Sequence, residues 1–136
     1  HEVLRGRDAK AVLAEFGEYS EENARQCEEI AAAFFSSDLM KQVKRSFAEL
    51  PFSITFEGQR VTGKIDRLCE MADGSWAVID YKSDAVGPGE EAAVAEEYRV
   101  SMKVYCEAAG QLMRGEKVAG FLYFTESGEF YVSDFT

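Results

Sequence analysis

The spacing of the apolar side chains changes at Pro51, and no other feature constrains the fold as much. Before Pro51, apolar residues recur at every third or fourth position, as in amphipathic helices. From Phe52 onward, apolar and polar residues alternate, which is typical of strands that bury one face. The chain is therefore expected to begin with helices and to continue as a sheet.

Three helices are predicted before the change. The first runs from His1 to about Gly17 and the second from Ser20, as its N-cap, to Phe35. The third is capped by Ser37 or Asp38 and continues through Phe47. Its outer face carries the compact basic cluster Lys41, Lys44 and Arg45. This cluster is interpreted as a solvated helix face, with a contact to nucleic acid as the alternative.

Three strands are predicted after the change, forming a β-meander. They are Phe52 to Phe56, Val61 to Cys69 and Trp76 to Lys82, with turns at Glu57-Gly58 and Asp73-Gly74. Three antiparallel strands joined by short turns provide the centre of a sheet.

The rest of the chain predicts one long crossover helix and a second hairpin. The helix runs from Glu90 to Arg114, and Gly115 suits its C′ position. The hairpin strands are Val118 to Thr125 and Phe130 to Phe135. Helices combined with these strands indicate an α/β or α+β fold in a single domain.

Charge and cysteine content limit the possible partners and the compartment. The 136 residues carry a net charge of -10, which disfavours unassisted binding to DNA, so a nucleic-acid substrate would need local delivery. Cys27, Cys69 and Cys106 lie in periodic apolar patterns and are interpreted as reduced core thiols, which favours the cytoplasm. No apolar run is long enough to cross a membrane, and no membrane partner is expected.

Asp66, Asp80 and Lys82 form the candidate site. Asp80 and Lys82 share one face of a strand that is otherwise mostly apolar, and buried acids need a proton, a cation or a partner. A divalent cation between the two carboxylates is therefore predicted. The alternative is a simple ion pair between Asp80 and Lys82 on an exposed strand.

The metal hypothesis makes a demand on the hairpin register. A two-residue turn at Asp73-Gly74 would pair Asp66 with Tyr81 and would place the two carboxylates on opposite faces. A loop of odd length, or a bulge, would place Asp66 opposite Asp80 or Lys82. One of these two arrangements is expected.

Motifs along the whole chain resemble the PD-(D/E)xK nuclease superfamily, and in particular the RecB-like nuclease domain of bacterial helicase-nucleases such as AddA and RecB. The matching elements occur in the family's order: His1 with Leu4, Glu49 to Phe52, Gly63 to Arg67, Asp80 to Lys82, and Tyr98 with Tyr105. One departure is that Ser101 stands at the position of the family glutamine.

The resemblance implies a restriction-endonuclease-like central mixed sheet of about five strands, flanked by helices. It also implies a site that binds Mg²⁺ or Mn²⁺. The implied metal ligands are His1, Asp66, Asp80 and the main-chain carbonyl of Tyr81. The implied catalytic residues are Asp66, Asp80, Lys82 and Glu49, and the implied substrate-positioning residues are Tyr98, Ser101 and Tyr105.

The function implied is hydrolysis of single-stranded DNA during double-strand-break repair. The chain, which begins with His1 rather than Met, would be one nuclease domain from the C-terminal part of a longer helicase-nuclease. The implied partners are helicase motor domains on the same polypeptide and an AddB-like subunit. The alternatives are a nuclease-fold docking module with weak or no catalysis, and an acidic cation-binding protein.

Two cofactor sites are not expected in this chain. The segment from Gly58 to Lys64 resembles the start of a P-loop, but Ile65 replaces the Ser or Thr that would bind Mg²⁺, so no ATP site is predicted. The cysteines lack the clustering that an iron-sulfur cluster requires.

Overall fold

A computed structural model describes residues 21–82, 89–114, 117–125 and 127–132 of the chain. It divides into two compact units, His1–Lys41 and Gln42–Thr136. The predicted helix from His1 to Gly17 and the predicted cap at Ser20 lie outside the described residues.

The described part of the first unit contains two helices. Helix α1 spans Glu21–Phe35, which confirms the second predicted helix, and buries Phe34 completely. Acidic residues in its first turn complement the positive end of the helix dipole. Helix α2 is a single turn, Asp38–Lys41.

The prediction of a third helix through Phe47 is wrong, because strand β1 begins at Val43 and spans Val43–Phe56. Val43 and Phe47 are four residues apart, a spacing that helices also use, but pairing with the next strand determines the conformation here. Lys44 and Arg45 therefore lie on a strand, and the basic cluster is not the face of one helix.

The second unit contains a five-stranded mixed sheet in the order β1-β2-β3-β4-β5. Strands β2 to β5 span Gln59–Met71, Trp76–Lys82, Val118–Phe124 and Glu129–Val132. Only β3 and β4 are parallel to each other, and the other neighbouring pairs are antiparallel. The expected mixed sheet of about five strands is confirmed, and the end predicted for the last strand, Phe135, lies outside the described residues.

The β1–β2 hairpin is longer than predicted and has the predicted turn. Phe56 pairs with Gln59, and the two residues between them, Glu57 and Gly58, have φ angles of 50° and 79°. Positive φ at both positions is the signature of a tight type I′ turn. A side chain at Gly63 would come within 2.9 Å of the Phe52 ring, so this strand position needs glycine for close packing.

The described part of the crossover between β3 and β4 contains two helices rather than the single helix predicted. Helix α3 spans Glu91–Glu97 and helix α4 spans Arg99–Met113, with a break at Tyr98. Arg114 then adopts the left-handed conformation, φ 50° and ψ 34°, and Gly115 lies outside the described residues.

The core of the second unit lies between α4 and one face of the sheet. Met102, Cys106 and Ala109 of α4 are buried in one cluster with residues of all strands from β1 to β4. The sheet residues at its centre are Phe52, Ile54, Ile65, Leu68, Val78 and Leu122. All three cysteines are free, with Cys69 and Cys106 buried and Cys27 half-buried. Among the described helices, none is both long and apolar enough to span a bilayer.

Candidate active site

The loop between β2 and β3 has the odd length that the site requires. The Met71 N–H donates to the Ser75 carbonyl at 2.8 Å, so three residues, 72 to 74, form the turn. The Asp73 carboxylate accepts from the Ser75 N–H at 2.9 Å, and Gly74 has a φ of 89°. The two-residue alternative is therefore excluded, and the prediction of an odd loop is confirmed.

This loop sets the register of the two strands that carry the candidate residues. Arg67 pairs with Ile79 and Leu68 with Val78, so the next position along the ladder places Asp66 opposite Asp80. Because Val78 belongs to the core cluster, the alternating residues Asp80 and Lys82 emerge on the same face, toward α4. The register brings the two acids and the lysine together.

Short contacts join the Asp66 side chain to the backbone of β3 and the Lys82 side chain to Asp80. The Tyr81 N–H donates to Asp66 Oδ2 at 2.9 Å, and Lys82 Nζ lies 2.8 Å from Asp80 Oδ2. The side chains of Lys82 and Asp80 are only 16% and 12% exposed, so this ion pair is largely removed from water. The simple exposed ion pair that was the alternative does not describe this arrangement.

Burial is the largest of the effects that raise the pKa of Asp80, from 3.8 to about 6. A hydrogen bond with the Asp66 carboxyl raises this pKa further, whereas the hydrogen bond and the charge of Lys82 lower it. Two carboxyl groups in such contact need a proton or a cation to offset their repulsion. A cation is therefore favoured between the carboxyl groups of Asp66 and Asp80.

The donors at this place suit a hard divalent cation. Mg²⁺ typically binds through one or two carboxylates and keeps several waters. Asp66 and Asp80 supply two carboxyl groups, and Tyr81, the residue after Asp80, supplies a main-chain carbonyl as a third oxygen donor. Within the described ranges, no three His, Cys, Asp or Glu side chains converge as a complete protein cage. The set fits an open site that shares its ion with water and substrate.

Two tyrosines border the site from the helical side. The Tyr98 ring lies under the Lys82 ammonium, with Nζ 3.5 Å from the ring centroid. Tyr105 packs edge-on against Phe52, with 5.9 Å between ring centroids. Burial, followed by the charges of Asp80 and Asp66, raises the pKa of Tyr105, which indicates that its hydroxyl lies in the field of the carboxylates. Ser101, between them on α4, is exposed.

Glu49 lies opposite Asp66 on the neighbouring strand, because Ala48 pairs with Arg67 and Leu50 with Ile65. Its φ of 51° is left-handed, which is uncommon for a residue other than glycine. Lys64 Nζ lies 3.8 Å from Glu49 Oε1. His1 lies outside the described residues.

Arg67 supports the site from the opposite face of the sheet, a role that sequence reasoning missed. Its guanidinium donates to the Tyr81 hydroxyl and to Ser46 Oγ, both at 2.7 Å, and the residue is only 6% exposed. Tyr81 in turn holds Asp66 through its main-chain N–H. The strand period could have indicated this, since Arg67 must point away from Asp66.

Comparison with known proteins identifies relatives for part of the chain. A protein from Desulforudis audaxviator (strain MP104C), named as a subunit of an ATP-dependent helicase/nuclease, is 38% identical over 68 residues, or 50% of this chain and 5% of that protein. A protein of the same name from Lysinibacillus sphaericus (strain C3-41) is 33% identical over 95 residues, or 60% of this chain and 8% of that protein. The chain thus spans less than a tenth of these relatives.

A solved structure and a family model extend the comparison to nearly the whole chain. A candidate exonuclease from Eubacterium rectale has a similar fold, with a TM-score of 0.55 and 15% identity, covering 93% of this chain and 59% of that one. The model of the PD-(D/E)XK nuclease superfamily matches residues 2–133. The order of strands and the carboxylates on β2 and β3 agree with this match, and the chain belongs to the PD-(D/E)XK nuclease superfamily.

Proposed function

We propose that this chain hydrolyses phosphodiester bonds of single-stranded DNA in a reaction that depends on a divalent metal ion. The observation that carries the proposal is the contact of Asp66, Asp80 and Lys82 on one face of β2 and β3. Membership of a nuclease superfamily supports this chemistry. The metal would be Mg²⁺ or Mn²⁺.

Each residue has a role that its surroundings support. Asp66 and Asp80, with the Tyr81 carbonyl, would hold the metal, and the N–H of Tyr81 keeps the Asp66 carboxylate oriented. The bound ion would supply Lewis acidity and neutralise charge on the phosphoryl oxygens. Lys82 would orient the attacking water and offset the charge of the phosphate.

The remaining predicted residues are proposed to assist. Glu49 would act as a further catalytic acid or base, because the register places it beside Asp66. Tyr105 and Ser101 would position the DNA strand from α4, and His1 would be an additional metal ligand. The serine hydroxyl is shorter than the glutamine side chain that it replaces, so weaker positioning is expected at this point.

We further propose that the substrate is delivered by a helicase motor. The relatives are named as parts of helicase/nucleases, and this chain matches only a small part of each. The net charge of -10 opposes unassisted capture of DNA, and tethering to a motor would overcome this through a high local concentration. The chain would then be one nuclease domain of a longer protein that processes DNA breaks together with an AddB-like subunit.

Cleavage of single-stranded DNA tests the catalytic proposal. With Mg²⁺ or Mn²⁺, Asp80→Ala and Lys82→Ala are each expected to lower kcat by at least about 100-fold, because both groups act on the reacting phosphate. Lys117→Ala changes an exposed charged residue beside the start of β3, the end opposite to Lys82, and is expected to cleave normally.

The result also separates the alternative functions. Cleavage that is indifferent to both Asp80→Ala and Lys82→Ala would contradict the proposed site. Metal binding with no cleavage, even when the chain is fused to its motor, would favour a docking module or a cation-binding protein.

A further inference from the structure

We propose that Tyr98 is a positioning residue that holds the Lys82 ammonium in its catalytic place through a cation–π contact. The inference builds on the proposed function of Lys82 but concerns a different residue. It assigns the aromatic ring of Tyr98 to the lysine, whereas the sequence pattern assigned Tyr98 to the DNA substrate.

Lys82 is held between a carboxylate and an aromatic ring. Its Nζ lies 2.8 Å from Asp80 Oδ2 and 3.5 Å from the centroid of the Tyr98 ring. A cation over the face of a tyrosine ring is attracted by the negative charge density of that face, and the attraction increases when the pair is shielded from water. The Lys82 side chain is only 16% exposed, so the contact is of the stronger kind.

The Tyr98 ring gives the Lys82 ammonium a second point of contact, in addition to the ion pair with Asp80. A lysine side chain has four rotatable bonds, and one ion pair restrains its distance from Asp80 without fixing its direction. The ring supports the ammonium at a second point. If Asp80 turns toward a metal ion, the ring still keeps the ammonium in the site.

The broken crossover helix explains how the ring reaches Lys82. Tyr98 ends α3, donating its N–H to the Ala95 carbonyl, and starts α4, accepting from the Met102 N–H at 2.9 Å. Its φ of -99° and ψ of 7° lie outside the helical region, although no proline or glycine causes the break. The break places Tyr98 at the junction of the two helices, where its ring lies against the Lys82 ammonium.

The backbone of Lys82 is also held in place, so the Tyr98 ring contacts a side chain whose Cα position is fixed by the sheet. The Lys82 carbonyl accepts from the Thr125 N–H at 2.9 Å, at the end of the parallel β3–β4 pair. The backbone of Lys82 is thus held by the sheet, and its ammonium by Asp80 and Tyr98.

Nuclear magnetic resonance tests the contact without requiring cleavage. Protons above an aromatic ring are shifted upfield, so the ε-methylene protons of Lys82 are expected upfield of the other lysines in the metal-free chain. Tyr98→Phe should preserve this shift, since the ring remains, and Tyr98→Leu should abolish it. Glu96→Gln removes the Glu96–Arg99 ion pair across the same helix junction and should leave the shift unchanged.

Kinetics of DNA cleavage test the positioning role. Tyr98→Leu is expected to lower kcat by about tenfold with KM for DNA unchanged, and Tyr98→Phe should retain nearly full kcat. Fluorinated phenylalanines at position 98 keep the shape of the ring and progressively weaken its negative face. The logarithm of kcat is expected to fall stepwise with each added fluorine.

Three results would overturn the inference. These are a Lys82 shift that persists in Tyr98→Leu, a kcat that is indifferent to fluorination, and an effect on KM in place of kcat. The last would assign the ring to DNA stacking. Absence of cleavage even when the wild-type chain is fused to its motor would count against the proposed function, while the resonance shift would still decide whether Tyr98 holds Lys82.

Discussion

At the scale of single residues, the proposed metal-binding carboxyl of Asp80 conflicts with the stability of the fold. It is 8% exposed, it touches the Asp66 carboxyl, and burial makes its ionised form unfavourable. Lys82 offsets only part of this effect. The proposed metal site is therefore a weak point of the metal-free protein.

Asp80→Asn is predicted to stabilise the metal-free protein at neutral pH by up to about 3 kcal/mol, since it removes a buried charge. The variant should lose stabilisation by Mg²⁺, which the wild type gains when the ion binds the folded state. Urea denaturation at pH 7.5, with EDTA and then with Mg²⁺, measures both effects.

Asp73→Asn provides the control in the same hairpin. The hydrogen bonds from Ser75 lower the pKa of Asp73, so its carboxylate favours the native loop and the variant should not be more stable. A metal-free Asp80→Asn protein that is less stable than the wild type would contradict the prediction, as would equal stabilisation by Mg²⁺.

At the scale of elements, the β1–β2 hairpin contains two glutamates whose backbone adopts the left-handed conformation, and they lie in different structural settings. Glu57, at φ 50°, forms the turn, whereas Glu49, at φ 51°, lies within β1. The core-facing positions of β1 change parity at Glu49, from Phe47 before it to Phe52 after it. Because of this change, β1 buries apolar residues in the same core both before and after Glu49, while Glu49 itself lies opposite Asp66.

Asparagine at these two positions is predicted to stabilise the fold in both variants and to lower catalytic activity only in Glu49→Asn. Asparagine adopts the left-handed conformation more readily than glutamate, and Asn-Gly is a favoured type I′ turn. Glu57→Asn should raise the free energy of unfolding by about 1 kcal/mol with normal cleavage.

Glu49→Asn should relieve similar strain and yet lower kcat by at least about tenfold, because it removes the proposed catalytic carboxylate. Thermal unfolding and DNA cleavage of both variants give the two measurements. Normal cleavage by Glu49→Asn would remove Glu49 from the catalytic set.

At the scale of the whole molecule, folding places two of the three thiols out of reach of water. Burial raises the pKa of both Cys69 and Cys106 to about 11. Both thiols therefore stay protonated in the folded state at pH values where the unfolded chain begins to lose these protons.

This difference in thiol pKa between the folded and unfolded states predicts how the free energy of unfolding changes with pH. A pKa raised from 9.0 to about 11 adds stability that is complete below pH 9 and is lost as pH rises toward 11. At pH 8, iodoacetamide should modify half-buried Cys27 first, while Cys69 and Cys106 should react only after unfolding in urea. Equal rates for all three thiols in the native protein would contradict the burial of the two core cysteines.

Much of the sheet follows from local pattern. The bounds of β3 and the turn at Glu57-Gly58 were predictable, because alternation and turn chemistry act over a few neighbouring residues. The odd loop after Met71 was predicted from the requirement that Asp66 and Asp80 share one face of the sheet, since the turn residues Asp73-Gly74 alone also suit a two-residue turn. The segment after Val43 was not, since its apolar spacing suits either a helix or a strand and only pairing with β2 selects one. The break at Tyr98 was also hidden, because no proline or glycine marks it.

The sequence by itself determined which chemical groups are present and on which strands they lie, since Asp66, Asp80 and Lys82 are set by order and alternation. The tertiary structure decided their environment: the register that joins the two carboxyls, the Tyr98 ring under Lys82, and Arg67 behind Tyr81. These contacts join residues far apart in the chain. Their geometry depends on packing and strand pairing, which no local pattern specifies.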